Sequence, residues 1–183
     1  SLDMPEKTAV CILADKEEIG SVGISGMQSH YFEHFMEGLC DAQGVKLSDC
    51  FANSFCLSAD VSNAFDPNWP ETCDKRNNSQ LNYGVAICKY TGSRGKGGAS
   101  DASAEAMGHV RSMLDKAGVI WQIATLGKVD QGGGGTVAAY MANRNIVTVD
   151  AGVPVLSMHA PLELVSKLDC YETMLACKAI YLA

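Results

Sequence analysis

The chain has 183 residues, 47% of them hydrophobic and 19% charged, enough for one domain with a real core. Its 14 Lys and Arg against 21 Asp and Glu give a formal charge of −7, and the basic residues form no cluster of the kind that grips nucleic acid, so DNA and RNA are not expected partners. No apolar run approaches the roughly 18 residues of a membrane span, so a soluble globular chain with no membrane partner is expected.

Thr8 to Leu13 reads as a first strand, because the apolar run Val10-Cys11-Ile12-Leu13 ends abruptly in Glu17 and Glu18. Ligands of α/β sheets collect at such strand ends. Neighbouring residues leaving a strand point in different directions, so one carboxylate can hold a metal while the other reaches a water. The same pair also fits an ordinary solvated turn. Gly20, Gly23 and Gly26 follow, then a helix that Ser29 can cap, with Phe32, Phe35, Met36 and Leu39 on its apolar face and Gly44 closing it. Phe55 to Ser58 is a second strand running into Asp60, and residues 63 to 82, with Pro67 and Pro70, form a long surface loop.

The strand Val85 to Tyr90 contains one charge, Lys89, whose simplest reading is a strand-end lysine reaching solvent. The glycine-rich run Gly92 to Gly98 fails the P-loop pattern, since Lys96 is followed by Gly97 rather than Ser or Thr, and is expected to be a mobile loop. Ser100 or Asp101 caps a helix carrying Met107, Val110 and Leu114 and closed by Gly118; Ile120 to Thr125 is the next strand. Four glycines, Gly132 to Gly135, lead through Thr136 into a helix with Val137, Tyr140 and Met141, either as a linker or as backbone that approaches a ligand. Ile146 to Asp150 is the last clear strand, Pro154 to His159 runs on from it, and Pro161 opens a terminal helix with Leu164, Leu168 and Leu175. This alternation predicts a three-layer α/β/α sandwich with a mostly parallel sheet.

Eight cysteines occur without any C-x-x-C, several inside apolar patterns. Cys11 and Cys88 read as small buried hydrophobes, and free thiols in a reducing cytoplasm are expected rather than a disulfide framework or a zinc cluster. The start at Ser1, with a short polar lead and no signal peptide, is expected to be an artificial or processing boundary.

Three acidic or imidazole positions fall at strand ends: Glu17-Glu18, Asp60 and His159. Oxygen ligands plus an imidazole suit a zinc-type ion, with an unligated Glu beside it as general base for the bound water. A rival pattern, His30-Tyr31-Phe32-Glu33-His34, fits the H-x-x-E-H zinc-protease signature, although both histidines lie beside the helix's apolar stripe.

Four blocks, Asp15 to Ser21, Ser58-Ala59-Asp60 with Ala64 and Pro67-Asn68, Gly84 to Lys89, and Asp150 to His159, resemble the aspartyl aminopeptidases, which are co-catalytic zinc exopeptidases. The resemblance implies a metal-dependent aminopeptidase acting on peptides, with two divalent ions, zinc by the family. It implies Glu17 as general base and Glu18, Asp60 and His159 as metal ligands. Lys89 would face an acidic first residue of the substrate, and Gly134, Gly135 and Thr136 would line the pocket. A homo-oligomer is implied for the full-length protein.

Asn63 stands where the family usually has histidine. The chain would be the C-terminal part of the catalytic domain, with a further His ligand, a bridging Asp and an assembly domain expected upstream; Asp3 lies too close to the Glu pair to be that bridge. On its own the chain is expected to be inactive. The alternatives are an assembly or interaction module of the same fold and a zinc protease using His30, Glu33 and His34.

Overall fold

The computed structural model describes residues 6–183 except 93, 95, 96, 99 and 129, so Asp3 and Lys96, singled out above, lie outside the described residues. The elements in order are α1 (Tyr31–Gln43), α2 (Leu47–Ala52), β1 (Phe55–Asn63), β2 (Val85–Cys88), α3 (Ala104–Ala117), β3 (Trp121–Ala124), α4 (Ala138–Ala142), β4 (Val147–Leu156), β5 (Leu164–Val165) and α5 (Lys167–Tyr181). The strands form one sheet in the order β1-β4-β2-β3, with β5 added on β4. The parallel ladders β1/β4 and β2/β3 hold nine and four residue pairs, the antiparallel ladders β2/β4 and β4/β5 three and two. The sheet is therefore mostly parallel, with an antiparallel seam between β2 and β4.

Strand periodicity sorts its two faces. Val85, Ile87, Val149 and Ala151, joined by Leu57, pack on Met107, Val110 and Leu114 of α3 and Ala176 of α5. On the other side Cys56 and Ile146 meet Phe32 and Met36 of α1, Phe51 of α2 and Met141 of α4. Two helical layers thus enclose the sheet. Helix α5 is also fastened by buried carboxylates: Asp169 accepts hydrogen bonds from Asn82 N and Gly84 N, both at 2.8 Å, and Glu172 from Ile120 N at 2.8 Å. These charge-assisted bonds fix the turns that enter β2 and β3.

Several expectations change. Residues 8–14 form no strand; the isolated bridge that follows them pairs Asp15 with Gly26. An apolar run becomes a strand only where a neighbour offers a ladder, and none of the described residues does so here. Leu13 is 91% exposed and Cys11 is exposed rather than buried, while Tyr181 donates its hydroxyl to Val10 O at 3.0 Å. In α1 the N-cap is His30 rather than Ser29, and the buried residues are Phe32, Met36 and Cys40 while Phe35 is exposed. Ser103, not Ser100 or Asp101, caps α3 by accepting from Ala106 N. Strand β2 stops before Lys89, and β4 is one continuous strand through Pro154. Leu164 belongs to β5, and the terminal helix starts beyond Pro161, where Ser166 accepts from Leu168 N and Asp169 N.

Candidate active site

The site lies on the sheet face opposite α3 and α5. Ser58, Asp60 and Ser62 of β1 project there by alternation, beside Asp150 and Gly152 of β4 and Ala86 and Cys88 of β2. These side chains are small or polar, so beyond the contact with α1, α2 and α4 the face is roofed by loops. Together they leave a cavity of about 530 Å³ that Glu17, Glu18, Asp60 and His159 all line, with Gly134, Gly135 and Thr136 on its rim and Asn63 on its wall. Three separate stretches of sequence therefore bring the four predicted polar side chains to one place.

Each is held by local geometry. Glu17 and Glu18 sit on a 3-10 turn, Glu17–Ile19, flanked by left-handed Lys16 (φ 60) and Gly20 (φ 88). Ser21 N donates to Lys16 O at 2.7 Å, and Gly20 O accepts from Gln28 Nε2 at 2.6 Å and from the Tyr140 hydroxyl at 3.3 Å, which ties the turn to α4. Asp60 stands opposite Gly152 in the β1/β4 ladder. A Cβ at Gly152 would lie 2.7 Å from Val61 C and 3.0 Å from Asp60 O, so a larger residue would push Asp60 out of place. His159 sits in the loop between β4 and β5, its Nδ1 3.7 Å from Glu18 Oε2 and its N–H donating to Glu163 Oε1 at 2.5 Å.

Burial raises the pKa of Glu17, the charges of Asp60 and Glu18 raise it further, and His159 opposes the shift. Below the rim, buried Asp150 accepts from Thr136 Oγ1 at 2.8 Å, and the same Thr136 oxygen accepts from Ala138 N at 3.3 Å. Burial pushes Asp150 up to about 6 against the lowering effect of Thr136 and Ser58. The glycine run is packed backbone rather than a loose linker. Gly133 has φ +91, and a Cβ there would lie 2.2 Å from Gly92 O.

Lys89 stands apart. It lies past the end of β2, is ion-paired with Asp101, and does not line the cavity. The H-x-x-E-H pattern also resolves differently: Glu33 accepts from Arg144 Nε at 2.7 Å and bonds His30 Nδ1 at 2.5 Å, while Arg144 donates to Tyr140 O at 2.8 Å and Ser29 O at 3.2 Å. That network clamps α1 to α4 and occupies the glutamate a protease would need.

The donor types suit zinc: Glu18, Asp60 and His159 offer two acids and an imidazole to one cavity, gathered closely enough that the charges of Asp60 and Glu18 raise the pKa of Glu17. Their number within reach does not close a site, since among the described residues no three His, Cys, Asp or Glu converge closely enough to hold an ion. A closed zinc site needs ligands beyond these. Sequence reasoning overlooked Glu163, Gly152 and the role of Asp150. Asp150 did leave a signal, a lone acid within an otherwise apolar strand, whereas Glu163 left none.

A curated relative, the probable M18 family aminopeptidase 1 of Clostridium acetobutylicum, is 51% identical over 172 residues, covering 92% of this chain and 37% of that protein. The crystal structure of the M18 family aminopeptidase from Thermotoga maritima superposes with TM-score 0.88 at 43% identity, over 92% of this chain and 38% of that one. The dodecamer of S. cerevisiae mApe1, at 24% identity and TM-score 0.73, covers 92% of this chain and 36% of that one and shares the fold. The chain thus spans well under half the length of the relatives it matches. The family profile described as aminopeptidase I zinc metalloprotease (M18) matches residues 1–181, and with the four-residue cavity above it shows that the chain belongs to that family.

Proposed function

We propose that the complete protein is a zinc-dependent aminopeptidase that removes N-terminal residues from peptides, and that this chain supplies its general base and part of its metal site. The observation that carries this reading is the convergence of Glu17, Glu18, Asp60 and His159 on one cavity of an M18-family chain. Glu18, Asp60 and His159 would hold two zinc ions together with ligands outside this chain. When bound, the ions polarise the scissile carbonyl and lower the pKa of the attacking water. Glu17, with its carboxyl poised upward, takes that water's proton at a side-chain oxygen and returns it to the leaving amine. Gly134, Gly135 and Thr136 present backbone along the substrate.

The described lining contains four carboxylates, Glu17, Glu18, Asp60 and Glu163, one imidazole and no Lys or Arg. That favours a substrate's free ammonium, while Leu126 and Met158 suit a neutral first side chain over an acidic one. A homo-oligomer belongs to this reading, supported by the fold shared with the mApe1 dodecamer. So does a cytoplasmic location, supported by eight free cysteines, with Cys56 pushed by burial up to about 11 and Cys88 up to about 12.

The test is hydrolysis of aminoacyl chromogenic substrates by the complete protein. Release of Leu, abolished by a chelator and restored by zinc, is the expected result; chelator-resistant release refutes the metal-dependent reading. Lys89→Met separates the specificities. A lysine binding the substrate carboxylate would be worth about 1.5–3 kcal/mol, or roughly ten- to hundred-fold, on Asp and Glu substrates alone. With Lys89 paired to Asp101, equal and small changes in kcat/KM on acidic and neutral substrates are expected. A selective loss on acidic substrates would restore the role that the family resemblance implies for Lys89.

A further inference from the structure

We infer that Glu163 is a positioning residue for His159, holding the imidazole toward the cavity through the histidine's own backbone. The inference rests on the reading of His159 as a metal ligand. Strand β5 pairs with β4 through Val155 with Val165 and Leu156 with Leu164, so residues 157–163 close a hairpin loop and Glu163 is brought back alongside the residues that leave β4. Within that loop Ser157 has φ 58 and His159 φ 66. Residues with a Cβ avoid this left-handed region, and two of them two positions apart require a restraint. Part of it is local, Ala160 N donating to Ser157 O at 2.9 Å. The rest is Glu163, whose Oε1 accepts from His159 N at 2.5 Å, a charge-assisted bond to the strained residue itself.

With its backbone fixed there, the His159 ring lies with Nδ1 3.7 Å from Glu18 Oε2, and both line the cavity that Glu163 also lines. The two-residue strand β5 delivers this carboxylate. Contacts that orient a metal-binding histidine usually reach its second ring nitrogen; here the same task falls to the peptide N–H.

The experiment measures zinc affinity of the complete protein by competition with a chromophoric chelator, for wild type, His159→Ala, Glu163→Ala and Glu163→Gln. The visible spectrum of the cobalt-substituted protein reports ligand geometry alongside it. Glu163→Ala should weaken zinc binding about 10- to 100-fold and alter the cobalt spectrum, the range typical for residues that orient a ligand. Glu163→Gln, whose amide oxygen still accepts the His159 N–H, should restore both. Wild-type zinc affinity in Glu163→Ala, with affinity lost in His159→Ala, overturns the inference and leaves the ligand assignment standing. A Gln variant as weak as the Ala variant also overturns it, since the carboxylate then acts by its charge. A Glu163→Ala protein that does not fold assigns the residue to the scaffold and overturns it as well. If His159→Ala binds zinc as wild type does, the ligand assignment has failed and this inference falls with it.

Discussion

Glu17→Gln in the complete protein is expected to lower turnover about a hundred- to ten-thousand-fold while bound zinc stays at the wild-type level. Gln matches Glu in shape and keeps an acceptor oxygen but cannot take a proton, so the loss isolates proton transfer from packing. At about 1.4 kcal/mol per tenfold this corresponds to roughly 3–5 kcal/mol of barrier. The turn itself should not move: its fixed points are Ser21 N on Lys16 O and the two donors on Gly20 O, and none involves the Glu17 side chain. Glu18→Ala is the contrasting case. Its carboxylate lies next to His159 Nδ1, and its removal should take metal away with activity. Metal content by elemental analysis and single-substrate kinetics on the same preparations decide the matter. A Glu17→Gln enzyme that keeps more than about a tenth of wild-type rate at full zinc occupancy, well above the range for a general base, would assign the proton to another group.

The first half of β1, strands β2 and β3 and helix α3 were readable because each carries enough periodic apolar residues to declare its face, as Val85, Ile87, Val110 and Leu114 do. The largely polar second half of β1, through Asn63, carries no such period and places Asp60 within the strand rather than at its end. Helix α2 and strand β5, six and two residues long, are too short for any period to show. The run at residues 8–14 failed for the opposite reason: its composition is right for a strand, and what is missing among the described residues is a neighbour to pair with. Phe35 was misassigned because the buried stripe runs through Phe32, Met36 and Cys40 at i, i+4 and i+8, and Phe35 lies about 100° around the helix from Met36. The gathering of Glu17, Glu18, Asp60 and His159 was legible because each sits in or just beyond a stretch whose apolar neighbours mark it as an interruption. Glu163 and Asp150 draw their interest from partners, His159 N and Thr136 Oγ1, that only the folded chain supplies. Lys89 shows the reverse. It stood out in sequence as a charge at the end of an apolar strand, and the fold gives it a plain partner in Asp101.

Asp150→Asn is expected to stabilise the protein near neutral pH and to have no such effect at pH 4. Burial lifts the folded-state pKa from 3.8 to about 6, so between those values the folded protein binds more protons than the unfolded one. Stability must then fall as pH rises through that window, by about 1.4 kcal/mol per unit and about 3 kcal/mol in all, and stay at the lower level above it. An asparagine carries no charge to desolvate, and its Oδ1 can still accept from Thr136 Oγ1, so the penalty disappears while the bond persists. Denaturant unfolding of the complete wild-type and variant proteins at pH 4, 5, 6 and 7 gives the comparison; the other carboxylates titrate in both and cancel in the difference. The expected curve starts near zero at pH 4 and climbs by up to about 3 kcal/mol by pH 7. A flat difference, or a variant that loses stability equally at every pH, would mean that Asp150 is fully compensated by Thr136, Thr91 and Ser58 and carries no buried-charge cost. If the climb is found, the protein keeps a destabilising buried acid hydrogen-bonded to Thr136, which lines the cavity. Departures from the most stable choice are expected where a residue is retained for a site rather than for packing.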